Sequence, residues 1–434
     1  ETARDKAIRA KLARIGIGPG KTFAFKDLSL EHKAAILIAM KQGDDKVEVF
    51  SWWTGPGEQE GLDALTEDFK RNNPGIEFIN ATVSGGAGGN AKSVLATRLD
   101  AGDPPDSYQA HAGQELASDI KADRVQDISG LYDRQGWRDK FPKGLIEAIT
   151  VDGKVYSVPV NIHRANLLWY SPKTLDRAGI DAPPATWGDF LTQAQTLKAK
   201  GIVPLAVGPL WAQKQLLETV LLGTLGADAY TGLWNGKTDW NSAEVNTALM
   251  TAGRVFAVSD VATASSDWQP AMDKVTAGEA AYSVMGDWAY TYNINNKQLT
   301  YETDFAVVPT PGSAGVYDFL SDSFTLAKNA PHQGAAEKWL IECGSVEGQD
   351  LFNPLKGSVP ARTDADKGKY TGYLASAITE WQSDKTKIVG SLAHGVVANV
   401  ALNDQIDIAL KAFVVDFDQK AFASTVGAAY QSTR

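Results

Sequence analysis

Cysteine is almost missing from this sequence. Cys343 stands alone among 434 residues, so no intrachain disulfide can form, which neither requires nor excludes an oxidising compartment. Five scattered histidines beside that one thiol do not make a zinc-type cluster, and no metal is expected. Long apolar runs are missing too: the longest, Ala34 to Met40, falls far short of the ~20 residues a membrane helix needs. Positive charge is in deficit, with 42 Lys and Arg against 52 Asp and Glu. The net charge of −10 argues against broad nucleic-acid or anionic-membrane binding. No Gly-x-Ser-x-Gly nucleophile elbow occurs. Two glycine-rich stretches fall short of phosphate loops. Gly16-x-Gly18-x-Gly20-Lys21 lacks a preceding strand and the right spacing. Gly86 through Ser93 carries Ala91 where the second glycine belongs, and its Cβ would crowd a phosphate. No cofactor is expected. No signal peptide opens the chain, so an export signal is expected to have been removed or replaced.

What is present reads as a globular protein of two or more domains, 44% hydrophobic and 22% charged. Residues 1–46 stand apart. They hold ten Lys and Arg and six Asp and Glu, a net +4 that leaves −14 for the rest. A basic helical pattern from Ala3 to Ile15, a glycine turn and a short helix from Leu30 to Met40, capped by Ser29, fill this segment. Its stretch Ala13 to Lys21 resembles the tail of a bacterial envelope protein family of unknown function. The segment is expected to be a fused piece without a part in the main activity.

From Val47 the pattern alternates strand and helix, the signature of an α/β fold with a parallel sheet. Val47 to Phe50 is a β-branched, aromatic strand running into Trp52, Trp53, a Gly/Pro turn and Glu58. Ligands of open α/β sheets sit beyond such strand ends. Aromatic faces beside a carboxylate suit a polyhydroxylated ring, the faces covering C–H patches and the carboxylate accepting hydroxyl hydrogens. If the strand ran on, Trp52 and Trp53 would point to opposite faces, one into the core and one into the cleft. A helix from Glu58 to Arg71 buries Leu62, Leu65 and Phe69, and strands are expected at Ile76 to Val83 and from Ser107. Gln109 and His111 share one side of the latter, and each offers a donor and an acceptor. Asp152-Gly153-Lys154 is a hairpin-type turn, and Val155 to His163 is an extended crossing to a second domain. Thr186 and Asp189 have capping-box spacing. Residues 187–305 and about 330–434 are rich in helix. Asp287 and Asp322 follow short apolar runs and read equally well as caps or as site residues. Trp268 and Trp288 are candidate stacking faces, and Trp211 is a weaker one.

The order of signals is similar to that of the extracytoplasmic solute-binding proteins of ABC sugar importers. The markers are Gly102-Asp103-Pro104-Pro105-Asp106, Asp152 to Pro159, Ala178-Gly179 with Pro183-Pro184 and Thr186-Trp187, Gly278-Glu279-Ala280-Ala281, Met285-Gly286-Asp287-Trp288 and Pro309 to Gly312. Within that group the chain most resembles the glucose-binding branch. Phe50 to Trp53, Gln109 to Gly113, Val160 to Arg164, Leu320 to Phe324, Asn353 to Ser358 and Ile388 to Gly395 carry this likeness. The resemblance implies a two-lobe, maltose-binding-protein-like (type II) α/β fold with the ligand in a cleft and hinge closure around it. The N-lobe would comprise 47–157 plus 307–357 and the C-lobe 161–304 plus 360–434, with crossings near 158–160, 305–307 and 358–360. It also implies a monosaccharide ligand, glucose first with galactose or mannose as alternatives, an ABC permease as partner, an extracytoplasmic location, and a monomer. The sugar would meet Trp52, Trp53, Glu58, Gln109, His111, Asn161, Trp268, Asp287, Trp288, Asp322, Lys356 and His394. Glu60 competes with Glu58 because the turn before it differs by one residue from the glucose-type pattern. The rival class is a glycosidase using Glu58, Asp287 or Asp322 as its carboxylates.

Overall fold

The computed structural model describes residues 44–84 and 89–433. The helices and glycine turn expected within residues 1–43, and the middle of the second glycine loop at 85–88, lie outside the described residues.

Strand β1 (Lys46–Phe50) buries Val47 and Val49 and leaves Lys46 and Glu48 partly exposed, the alternation of a strand with one covered face. β2 (Glu77–Asn80) and β3 (Ser107–His111) flank it in parallel. The helices Gln59–Asn72 and Gly89–Asp100 make the crossovers. β2 is shorter than expected, although Ala81 and Val83 still donate to the carbonyls of Val49 and Ser51. Apart from a small hairpin of Thr150–Val151 with Lys154–Val155, the remaining strands among the described residues are β4 (Ser157–Pro159), β5 (Asn161–Arg164), β6 (Leu167–Tyr170), β7 (Val203–Ala206), β8 (Ala280–Val284), β9 (Ala306–Pro309), β10 (Val316–Leu320), β11 (Asp322–Leu326), β12 (Val359–Pro360) and β13 (Lys387–Gly390).

They form three sheets, β2-β1-β3-β11-β4, β9-β6-β8-β7 and β12-β5-β10-β13. None is wholly parallel: β11 runs against both β3 and β4, β6 against β8 and β9, and β5 against β10 and β12. The chain passes between the first and third sheets at Val160, at Ser321 and at residues 357–358. One boundary therefore moves. The stretch 307–320, expected with the first sheet, pairs instead with β6, β5 and β13, so the return crossing is at Ser321 and not at 305–307. Leu320-Ser321-Asp322-Ser323-Phe324 is one extended run with no glycine or proline to mark where it changes sheet.

Two large apolar cores and one small cluster around Val275 result among the described residues. One packs Phe50, Trp53, Phe69, Tyr108, Phe324 and Trp339, with Trp339 edge-on to both Phe69 and Phe324. The other packs Phe190, Leu205, Leu217, Tyr282 and Phe413. Among the described residues no helix is long and apolar enough to cross a membrane.

Local chemistry follows the sequence at several joints. Asp152 and Gly153 take positive φ of 49° and 76° in the hairpin turn, as a two-residue connection requires. Thr186 caps the helix Trp187–Ala199: its Oγ1 accepts from Asp189 N at 3.1 Å, and Asp189 Oδ2 accepts from Thr186 N at 3.0 Å. Thr186→Ala should lower stability by about 1 kcal/mol. Urea denaturation reads this as a lower midpoint at unchanged slope, and ligand affinity should not move.

Candidate functional site

Ladder pairing of β1 ends at Phe50, and the next residues build one wall of a small chamber. Trp52 N donates to Gln109 Oε1 at 3.2 Å, and Trp53 N donates to Ser51 Oγ at 3.1 Å. Because the chain has left the strand, both indoles reach the chamber, contrary to the expected split between core and cleft. Trp53 also packs on Phe352 and Phe324, at 5.1 and 5.8 Å between ring centres.

The turn that follows places Glu58. Glu58 N and Gln59 N donate to Gly55 O, and Gly57 adopts φ +80° against Tyr292. Glu58 precedes the helix Gln59–Asn72 without capping it, so its carboxylate is free to line the chamber. Glu60 is occupied elsewhere, accepting from Gly57 N at 3.0 Å and from Asn296 Nδ2 at 2.8 Å.

Asp322 is the hub. It opens β11 immediately after the crossing, opposite His111 of β3. Its Oδ1 accepts from Gln109 Nε2 at 2.9 Å and its Oδ2 from Asn161 Nδ2 at 2.8 Å. Its backbone N donates back to Asn161 Oδ1 at 2.8 Å. His111 Nε2 and His163 Nε2 each approach it to 3.7 Å. Gln109 and Asn161 thus stand behind the chamber wall and hold the aspartate rather than lining the space.

Lys356, at the end of the helix Val346–Lys356, is 2% exposed and has its ammonium over the faces of Trp53 and Trp288, 5.6 and 5.7 Å from their centres. It also lies 3.3 Å from His163 Nε2. An ammonium only donates, so that nitrogen is an acceptor and His163 Nδ1–H donates to Asp287. Asp287 takes a second hydrogen bond from Arg164 N at 3.1 Å and lies outside the chamber. Burial pushes the Asp287 carboxyl up, against the pull of Arg164 N–H. Burial and Lys356 push His163 down, so its ring is neutral.

His394 completes the ring of groups, edge-on to His111, Trp288 and Trp211 at 5.4, 5.5 and 5.9 Å. Burial keeps it neutral, with His111 adding to the effect. His111 Nδ1 lies 2.8 Å from Glu115, which Lys92 also pairs at 2.8 Å. Burial works to raise Glu115, but Lys92 and His111 outweigh it and hold its carboxyl below the usual range.

The chamber is therefore walled by Trp52, Trp53, Glu58, His111, His163, Trp211, Trp288, Leu320, Asp322, Lys356 and His394, a cavity of about 30 Å³. Trp268 does not reach it. Trp268 lines an outer hollow of about 410 Å³ that shares Trp52 and Glu58 with the chamber. Sequence reasoning passed over His163, although Asn161 and His163 share one side of β5 by period two. Among the described residues no cluster of His, Cys, Asp and Glu could hold a metal ion.

The site offers flat apolar faces, carboxylate acceptors, an ammonium donor and three histidine rings around one small chamber. Comparison with known proteins gives it context. Residues 54–350 match the family described as bacterial extracellular solute-binding protein. An uncharacterized ABC transporter extracellular-binding protein of Pyrococcus horikoshii is 37% identical over 367 residues, 84% of this chain and 82% of that one. A probable sugar-binding periplasmic protein of Brucella suis is 29% identical, covering 87% and 90%. A glucose-binding protein of Saccharolobus solfataricus is only 22% identical, covering 71% and 59%. Among solved structures, a chitin oligosaccharide binding protein superposes with TM-score 0.78 at 19% identity, over 90% of this chain and 99% of that one. A bacterial solute receptor with an exclusive preference for β-D-galactopyranose gives 0.77 at 18%, over 90% and 98%. These likenesses establish the two-lobe periplasmic-binding-protein fold.

Proposed function

This chain belongs to the bacterial extracellular solute-binding proteins, and we propose that it closes on a monosaccharide, glucose first, and hands it to the membrane permease of an ABC importer. The family is extracytoplasmic and its members are receptors rather than enzymes. The observation that carries the sugar reading is Asp322, a buried carboxylate held rigidly by Gln109 and Asn161 among tryptophan faces and beside Lys356. Carboxylate accepts and ammonium donates, so adjacent hydroxyls find partners of both kinds. An unpaired buried hydroxyl costs about 1–3 kcal/mol, which would discriminate epimers.

At about 30 Å³ the chamber is far smaller than a sugar ring, so a single ring enters only as its walls part. The glucose assignment rests on the residue strings, and the 22% likeness to a named glucose-binding protein adds little. A second reading, a disaccharide or longer sugar, is favoured by the outer hollow, where Trp268 and Tyr292 offer further faces next to Glu58. Calorimetry with D-glucose, D-galactose, D-mannose and maltose separates the two. Incubation with an aryl glycoside tests the glycosidase alternative: turnover would overturn the receptor reading.

In this reading the N-lobe is 44–157 with 322–357 and the C-lobe is 161–320 with 360–434. Residues 1–43 play no part in binding. Asp44 belongs to the receptor body, since its Oδ1 accepts from Gly334 N and Ala335 N in the first turn of the helix Gln333–Gly344. A chain beginning at Asp44 should bind sugar with unchanged affinity; lost binding would contradict this.

Glu58 gives the site a pH dependence. It is only partly buried, yet burial pushes its carboxyl up to about 7, Lys356 opposing and Asp322 adding to the rise. A raised carboxyl favours the protonated folded state. Its contribution to stability is full below its ordinary value of 4.5 and is lost as pH rises through about 7. Sugar affinity should run the other way, rising through the same range as the stronger acceptor forms. Glu58→Gln should flatten both profiles, read by thermal unfolding and calorimetry between pH 5 and about 8.

A further inference from the structure

Behind His394 lies a buried chain of polar groups that the sugar site does not touch. Glu218, on the helix Leu210–Leu225, is fully buried. It accepts from Ala393 N at 2.8 Å and from Ser391 Oγ at 2.9 and 3.2 Å, one distance to each carboxylate oxygen. Ser391 Oγ lies 2.9 Å from His394 Nδ1 and accepts from His394 N at 3.3 Å. On the far side Glu218 meets Asp318 of β10, also fully buried, whose two oxygens find no N–H or hydroxyl donor among the described residues. Burial drives both carboxyls up; Glu218 adds to the rise of Asp318, whereas the hydrogen bonds from Ala393 N, Ser391 and Asp318 pull Glu218 back down. Two buried carboxyls in contact cannot both ionise, so the pair holds a proton.

The donors decide where that proton rests. Glu218 already has hydroxyl and amide hydrogens directed at it, which stabilise its ionised form. Asp318 has none, so Asp318 keeps the proton and donates it to Glu218. A charged Glu218 has no hydrogen to give Ser391, so Ser391 must donate to Glu218. Its single hydrogen is then used, and its oxygen can only accept from His394 Nδ1.

We propose that the Asp318–Glu218–Ser391 relay fixes His394 as the Nδ1–H tautomer and so presents a bare Nε2 lone pair to the chamber. Specificity follows. His394 demands a hydroxyl hydrogen from the sugar at the position it faces, while Lys356 supplies hydrogens elsewhere. Glu218 and Ser391 are positioning residues, since both act through His394. This rests on the reading of His394 as a sugar contact, whereas the tautomer itself does not depend on any ligand.

The test uses the full chain with ¹⁵N-labelled histidine. Ring nitrogen shifts, with His394 assigned by comparison with His394→Gln, report which nitrogen carries hydrogen. In the unaltered protein at neutral pH, Nδ1 should be protonated and Nε2 bare. In Glu218→Gln, whose amide N–H donates to Ser391, the serine turns to His394 and the tautomer should switch to Nε2–H. In Ser391→Ala the ring should lose its single tautomer and show both. A role in packing alone would leave the tautomer unmoved in both variants, and that result overturns the proposal, as does an Nε2–H ring in the unaltered protein. Calorimetry with D-glucose and its monofluorinated analogues supplies the second readout. Fluorine accepts but cannot donate, so the analogue carrying fluorine opposite His394 should bind about tenfold worse than glucose, and Glu218→Gln should erase most of that gap. An Nδ1–H ring that switches in Glu218→Gln, in a protein that binds no monosaccharide, would uphold the relay and sink the monosaccharide reading.

Discussion

Asp322→Ala should weaken sugar binding by at least about a hundredfold while leaving the protein folded. A carboxylate accepting two hydroxyl hydrogens contributes about 1.5–3 kcal/mol for each bond, and the alanine removes both. The loss reaches further than one side chain. Gln109 Nε2 and Asn161 Nδ2 would be left without their acceptor, and they are otherwise held in place by Trp52 N and by the backbone N–H at position 322. Water entering the chamber can satisfy these amides in the free protein. The cost to folding should therefore be modest, about 1–3 kcal/mol. The bound state cannot recover as easily, because the sugar and Lys356 would face each other without the counter-charge. Calorimetry paired with thermal unfolding separates the two effects. Unchanged affinity would show that Asp322 is a structural brace at the sheet crossing and nothing more.

Gly113→Ala should cost affinity by about tenfold or more through the geometry of closure, without touching the sugar. Gly113 has φ +126°, a conformation L-residues rarely adopt, and an added Cβ would come within 2.7 Å of both the Cα and the carbonyl oxygen of Val396. These are backbone atoms and cannot swing aside. The segment after Gly113 is hydrogen-bonded across to the loop that carries His394, Gln114 N to Val396 O at 3.2 Å and Glu115 N to Gly395 O at 2.9 Å. In the proposed lobe division this is a contact between lobes. The backbone strain should lower the stability of the sugar-free protein by about 1–3 kcal/mol, and the clash should oppose closure on top of that. Small-angle scattering checks the second part: sugar should contract the unaltered protein and fail to contract the variant. Contraction and affinity equal to those of the unaltered protein would remove the contact from the closure mechanism.

The sequence exposed the fold through local signals. The alternation in Val47 to Phe50, the Asp152-Gly153 turn and the Thr186/Asp189 box are each short-range chemistry and appear where expected. Topology was less visible where it depended on partners far away in the chain. Nothing local in Leu320 to Phe324 reveals that Leu320 pairs with His163 and Asp322 with His111, so the crossing was expected some fifteen residues too early. The site shows the same division. The chamber brings together Trp52, Trp53, Glu58, His111, Trp288, Asp322, Lys356 and His394, residue types that stood out in the sequence. Gln109, Asn161 and Asp287 look identical to lining residues in a string of letters, yet they spend their hydrogen bonds on holding Asp322 and His163. Glu218 and Asp318 left no sequence trace, because a proton shared between carboxyls 100 residues apart is a property of packing alone.

The most direct test of the receptor reading is a calorimetric titration of the full chain with D-glucose, D-galactose, D-mannose and maltose, followed by chromatography of the recovered sugar. A saturable one-to-one isotherm with a monosaccharide, returned chemically unchanged, is the expected result. Binding of maltose with no binding of any monosaccharide, or recovery of cleaved sugar, would contradict it.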